Sequence, residues 1–274
     1  EWVEAGATGD RLLQLTVDEL TSLTAEVEAL VTRYAEASAG RDKMGPPSSW
    51  SERVAGVIAA RLGDRATAHN RLQSAVQLEP KDVDARLELG WHLVALGKVA
   101  DAALHARRVV ETDRPAEDAT EGQTADAKLL LAETLRRAGD AKGAITLART
   151  IWRTHPNKGA ALYLLGLAEL DGGDPESAAE TLRAASQAEP RAIVFIALGM
   201  AYAKGGHPED AVGAFQSALE KERGEMLAHA GLAGIYADAD LPTRALDEWE
   251  KMLADGHALA PLVRLADPRF PRPR

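Results

Sequence analysis

Metal or proton chemistry in this chain would fall to seven histidines, His69, His92, His105, His155, His207, His229 and His257, and their spacing supports neither. No HExxH pair sets two imidazoles on one helical face, the usual way for a helix to offer two ligands to one zinc ion. His105 with its acidic neighbours comes nearest to a metal site, and each histidine reads as a surface or turn residue. There are no cysteines, which excludes disulfides, thiolate metal sites and cysteine nucleophiles. Glu117 and Asp118 form a carboxylate pair, but in a stretch that reads as a loop, where nothing desolvates a carboxyl group enough to tune it for acid–base work. Glycines stand in neither GxGxxG nor GxxxxGK[ST] order, so no phosphate cradle is indicated. The chain reads as a non-enzyme with no metal and no cofactor.

What does recur is structural. In residues 161–190, Tyr163, Leu165, Gly166 and Leu167 share a helix, residues 172–175 (Gly-Gly-Asp-Pro) turn the chain, and Ala178, Leu182 and Ala185 return it antiparallel until Pro190 forbids continuation. The small residue of the returning helix falls at Ala68, Ala102, Ala144, Ala178, Ala211 and Ala245, in steps of 34, 42, 34, 33 and 34. Two further ladders run in phase with it. Glycines precede the turn at Gly63, Gly97, Gly139, Gly173 and Gly206, and small residues mark the outgoing helix at Gly56, Gly90, Ala132, Gly166, Gly199 and Ala233.

A helix pair repeated at about 34 residues, closed by Pro80, Pro156 and Pro190, resembles the tetratricopeptide repeat over residues 49 to about 257. The resemblance implies an all-α fold, a right-handed superhelical solenoid of about six helix pairs, with divergent final repeats, where Arg223 and His257 replace the closing proline. The 42-residue step marks an acidic insertion, residues 117–124, expected in the loop between repeats two and three.

In that family the second, fifth, ninth and twelfth positions of each first helix face a concave groove, and the resemblance carries this geometry onto the present residues. Trp50, Arg53, Asp84, Asp126, Glu133 and Arg136 then place charge and aromatic surface in the first three repeats. The partner-binding groove is expected to comprise Trp91, Leu129, Tyr163, Leu167, Leu170, Ile193, Ile196, Met200 and Leu227, a trough that is apolar in its C-terminal half. Relatives that grip acidic chaperone tails use Lys, Arg and Asn at these positions. Here only Arg53 and Arg136 are cationic, and Asp84, Asp126 and Glu133 repel an acidic peptide. The expected partner is a protein or peptide with an apolar face.

Net charge of -10 and pI near 5.3 argue against nucleic acid and anionic membrane surfaces. No apolar run approaches membrane-spanning length. Glu1 rather than Met stands first, as in a processed or trimmed chain, so the expected cytoplasmic location leaves a periplasmic one open. Residues 1–35 carry an amphipathic helix opened by a capping box at residues 16–19, with Val17, Leu20, Leu23, Val27, Leu30, Val31 and Tyr34 on one stripe. That helix either docks on the array or pairs as a homodimer. Residues 11–34 also resemble the dimerisation helix of bacterial winged-helix regulators, which implies a dimerising sensor or regulatory portion as the alternative to a scaffold. Residues 36–48 read as a linker, and residues 258–274 as a capping segment with a Pro/Arg-rich tail.

Overall fold

The computed structural model describes residues 47–110, 120–155, 159–222 and 226–254. The chain divides into two units, Glu1–Pro47 and Ser48–Arg274. The N-terminal helix, the capping segment and most of the linker lie outside the described residues.

Twelve α-helices run through the described part: α1 Ser49–Arg61, α2 Arg65–Leu78, α3 Val83–Ala95, α4 Val99–Val110, α5 Glu121–Arg137, α6 Ala141–Thr154, α7 Gly159–Asp171, α8 Pro175–Ala188, α9 Ala192–Lys204, α10 Pro208–Lys221, α11 Met226–Asp238 and α12 Pro242–Ala254. Each odd-numbered helix packs on the even-numbered one that follows it, and each even-numbered helix packs on the next pair. The odd-numbered helices also approach one another along the array, whereas the even-numbered ones do not. Two layers result: an inner layer of first helices and an outer layer of second helices that fan apart.

Sequence follows this layering. In the outer helix α6, Ala144, Ala148 and Ile151 are buried on one stripe while Lys142, Arg149 and Arg153 face water. The inner helices α7 and α9 are covered on most sides and are apolar almost all round, with Leu162, Leu164, Leu165 and Ala168 buried in α7 and Val194, Ile196, Ala197 and Leu198 in α9.

The ladder residues sit where the helices touch. Ala68, Ala102, Ala144, Ala178 and Ala211 are fully buried and Ala245 nearly so. On the facing helix a Cβ at Gly56, Gly166 or Gly199 would lie 2.7 Å from Leu72, 2.5 Å from Leu182 or 2.8 Å from Phe215, respectively, so the missing side chain makes room for a large one. Where the second helix offers only Ala106, Leu130 of the next pair comes over Gly90 instead.

The turn glycines are a ladder of backbone shape. Gly63, Gly97, Gly139, Gly173 and Gly206 all have φ between 75° and 85°, and Asp240 holds the sixth place at φ 57°. At Gly173 the helix ends in a Schellman arrangement, Asp174 N–H donating to the Glu169 carbonyl at 3.0 Å, and Asp174 Oδ1 then caps α8 by accepting from Ser177 N–H at 3.0 Å. Gly173→Ala is expected to lower stability by about 1 kcal/mol, because an L side chain in the left-handed region is strained even in open space. Gly213→Ala, in the exposed middle of α10 with nothing near its Cβ, should raise stability by roughly 0.5–1 kcal/mol. Opposite shifts of the two urea midpoints check the pair.

The insertion departs from expectation. Thr120 caps α5 in a reciprocal box with Gln123, so residues 121–124 are helical rather than loop, and α5 has 17 residues against 13 in α3 and α7. Half of the extra length is one added turn of inner helix. Gln123 Nε2 uses that turn to donate to Asp84 Oδ1 of α3 at 2.7 Å.

Candidate functional site: the inner face of the array

The inner layer carries its charge at the N-terminal end and spends it between neighbouring helices. Arg53 of α1 pairs with Asp84 of α3 at 3.4 Å. Glu133, buried in α5, accepts from Arg136 at 2.8 Å and 2.9 Å and from Arg137 at 2.6 Å. Arg136 also donates to Asp171 of α7 at 2.5 Å, and Arg137 to the Val94 carbonyl of α3 at 3.3 Å. One buried carboxylate thus organises contacts across three consecutive first helices. Burial pushes the Glu133 carboxyl upward in pKa, but the two guanidinium hydrogen bonds outweigh it and hold the group below its ordinary value. The Arg136 guanidinium is raised in turn, chiefly by its bond to Glu133. Burial, followed by the Glu133 charge, raises the Tyr163 phenol.

From α7 onward the inner face is apolar, but its candidate residues differ in depth. Trp91, Ile193, Met200 and Leu227 are exposed, Tyr163 and Leu167 are half-buried, and Leu129, Leu170 and Ile196 are buried. The difference follows helix register. Second and ninth positions, two turns apart, supply the exposed residues Trp50, Trp91, Ile193, Met200 and Leu227. Among the apolar residues, fifth and twelfth positions supply the buried Leu87, Leu129, Ile196, Val94 and Leu170, although the small Ala60, Ala203 and Ala237 at twelfth positions are exposed. Leu129, Leu170 and Ile196 therefore brace the wall of the groove and offer a partner little area. Trp50, in the same register as Ile193, is the most exposed of these side chains. Arg191 and Lys204 stand exposed at the two ends of α9.

Histidines are deeper than their spacing suggests. His92 and His229 are buried, His92 stacking on His69 with ring centroids 5.9 Å apart and His229 Nδ1 lying 2.7 Å from Glu248 Oε2. Among the described residues no three His, Asp or Glu side chains group as a metal site, and no helix is long and apolar enough to cross a membrane.

Two stacked layers of antiparallel helix pairs, with a ladder of small residues at each crossing, define a helical-repeat solenoid. The family model for the tetratricopeptide repeat matches residues 54–119, 129–192 and 196–261, and the chain belongs to that family. Solved structures agree in fold. A thermophilic TPR protein of Thermus thermophilus is 19% identical with a TM-score of 0.57, the match covering 73% of this chain and 98% of that one. A tetratricopeptide repeat protein of Parabacteroides merdae is 16% identical with a TM-score of 0.53, covering 75% of this chain and 79% of that one. The Cut9–Hcn1 hetero-tetramer of the APC/C matches with a TM-score of 0.65 at 16% identity, covering 81% of this chain and 42% of the longer chain. Curated proteins yield no match.

Proposed function

We propose that this chain is a non-catalytic protein-interaction scaffold that holds the apolar face of a partner helix or extended peptide against the inner surface of α7, α9 and α11. The observation that carries this reading is the exposure of Ile193, Met200 and Leu227, each more than a third open to water on the inner layer of a folded array. Each anchor that a partner buries there contributes roughly 1.5–3 kcal/mol before association costs, so a few suffice for micromolar binding. On the inner face of the first three pairs Arg53 is engaged with Asp84, and Glu133 and Arg136 with each other, which leaves ion pairing a small share of recognition.

The test uses peptides selected from a phage-displayed library on the purified chain and then measured against Ile193→Asp/Met200→Asp. Both sites are well exposed (45% and 44%), so the variant should keep its helicity, whereas Ile196→Asp, at a site only 5% exposed, would disturb the fold itself. Affinity should drop by at least about tenfold in the variant and change less than about twofold between roughly 50 and 500 mM salt. Peptides that bind the variant as well as the parent, or that dissociate steeply with salt, would move the contact off this face.

A further inference from the structure

The described histidines fall into two electrostatic groups. From the third pair onward each imidazole stands beside a carboxylate: His155 Nε2 lies 3.4 Å from Glu121, His207 Nε2 3.2 Å from Glu176 and His229 Nδ1 2.7 Å from Glu248. At the junction of the first and second pairs the arrangement is reversed. His69 of α2 stacks on His92 of α3, and His69 and His105 of α4 line one cavity of about 340 Å³. His69 Nδ1, His92 Nε2 and His105 Nδ1 are all buried without a hydrogen-bond partner. Packing does not call for imidazoles here. The register of His69 is apolar in every other pair, Ala103 and Ala179 among them, and that of His92 is apolar in all but the third, which has Thr134.

The charges around this cluster have the wrong sign for a protonated ring. Arg65 and Lys98 bear on His92, and Arg86 and Arg108 on His105, where Asp101 opposes them. Other carboxylates of the neighbouring helices are spent: Asp84 pairs with Arg53, Glu88 lies in the field of Arg53 and Arg61, Glu52 of α1 is held by Arg71, and Glu133 of α5 by Arg136 and Arg137. Burial, then the neighbouring His69, holds His92 below the ordinary imidazole pKa, and burial, then Arg86, does the same to His105. We infer that this junction is a proton-operated joint: neutral imidazoles keep α2 seated on α3, and mild acid, by charging them with no carboxylate to answer, frees α1 and α2 while the pairs from the third onward stay folded. Rings that resist protonation in the folded chain but accept it in the unfolded one contribute stability that is full above the ordinary imidazole pKa of about 6.5 and lost as pH falls below it. His155, His207 and His229 have carboxylates to meet their charge over the same range, and a repeat array is stabilised junction by junction, so the loss stays local. Opening carries Trp50 and Arg53 of α1 away from the inner face, at the other end of the array from α7, α9 and α11.

Hydrogen exchange of the full chain, corrected for the intrinsic pH dependence of amide exchange, tests the joint. Between about pH 7.5 and about pH 5.5, opening of α1 and α2 should rise at least about tenfold, while that of α7 and α8 changes less than about twofold. Alanine stands at all three histidine registers elsewhere in the array, at Ala103, Ala168 and Ala214, so His69→Ala/His92→Ala/His105→Ala is a change the repeat accepts, and it should abolish the selective response. Gln73→Glu keeps every histidine and places a carboxylate on the exposed wall of the same cavity, one helical turn from His69, so it should cut the acid response at least about twofold. This second variant decides the matter if the first already opens at neutral pH. Acid opening shared equally by all the pairs, retained in the triple variant, or unmoved by Gln73→Glu would overturn the assignment.

Discussion

Phe215→Ala is expected to lower the stability of the array by roughly 3–5 kcal/mol, the range for truncating a fully buried aromatic side chain. Phe215 is 2% exposed and serves two interfaces at once. Its ring lies under Gly199 of its own pair, where a Cβ would come within 2.8 Å, and under Gly231 of the next pair, where a Cβ would come within 2.4 Å. Two glycines face the ring, so truncation leaves a vacancy with no neighbouring side chain at those points to swing in. Stability in a repeat array is a sum of pair and nearest-neighbour terms, so the loss falls on the junction of the fifth and sixth pairs. Hydrogen exchange should therefore show α11 and α12 opening well before α7, alongside a lower urea midpoint. A loss under about 1 kcal/mol would mean that the backbone around Gly199 and Gly231 closes onto the vacancy.

Spacing carries the fold because the constraint at each crossing is steric and recurs. Alanine at 178 and 211 is required by backbone approach, and glycine at 173 and 206 by a left-handed φ, so residue type alone reveals them. The sixth turn escapes that logic because Asp240 adopts the same backbone region as a residue of a different type, one whose short polar side chain tolerates it. The added turn of α5 escapes as well, since an acidic, glycine-containing stretch reads as loop until Thr120 and Gln123 are recognised as a capping box. Within the groove, helical register places Ile193 and Ile196 on the same inner layer, but depth depends on the neighbouring helix. Three residues apart, they differ from 45% to 5% exposure. His229 shows the same limit: its burial is tolerated because Glu248, nineteen residues away on the facing helix, stands 2.7 Å from it.

Glu133→Ala should cost roughly 2–3 kcal/mol at neutral pH, somewhat less than for a wholly buried ion pair because Arg137 is partly exposed and Arg136 keeps Asp171. The loss comes less from the carboxylate itself than from Arg136, whose side chain is 17% exposed and would be left with one partner where it had two. The pH dependence distinguishes this from a packing defect. Glu133 in the folded chain titrates below its ordinary value, the upward push of burial being outweighed by its bonds to Arg136 and Arg137. A carboxylate with a depressed folded pKa contributes stability that is present above its unfolded pKa and disappears as pH falls through the folded one. The gap between parent and variant should accordingly be full at pH 7 and shrink from about pH 5 to pH 3. Urea midpoints across that range measure it, and a gap that stays constant down to pH 3 would assign the loss to the missing side-chain volume instead. Because Arg136 reaches Asp171 on α7 and Arg137 reaches Val94 on α3, the same variant should loosen the inner layer on both sides of α5, seen as faster amide exchange at the C-terminal ends of α3 and α7.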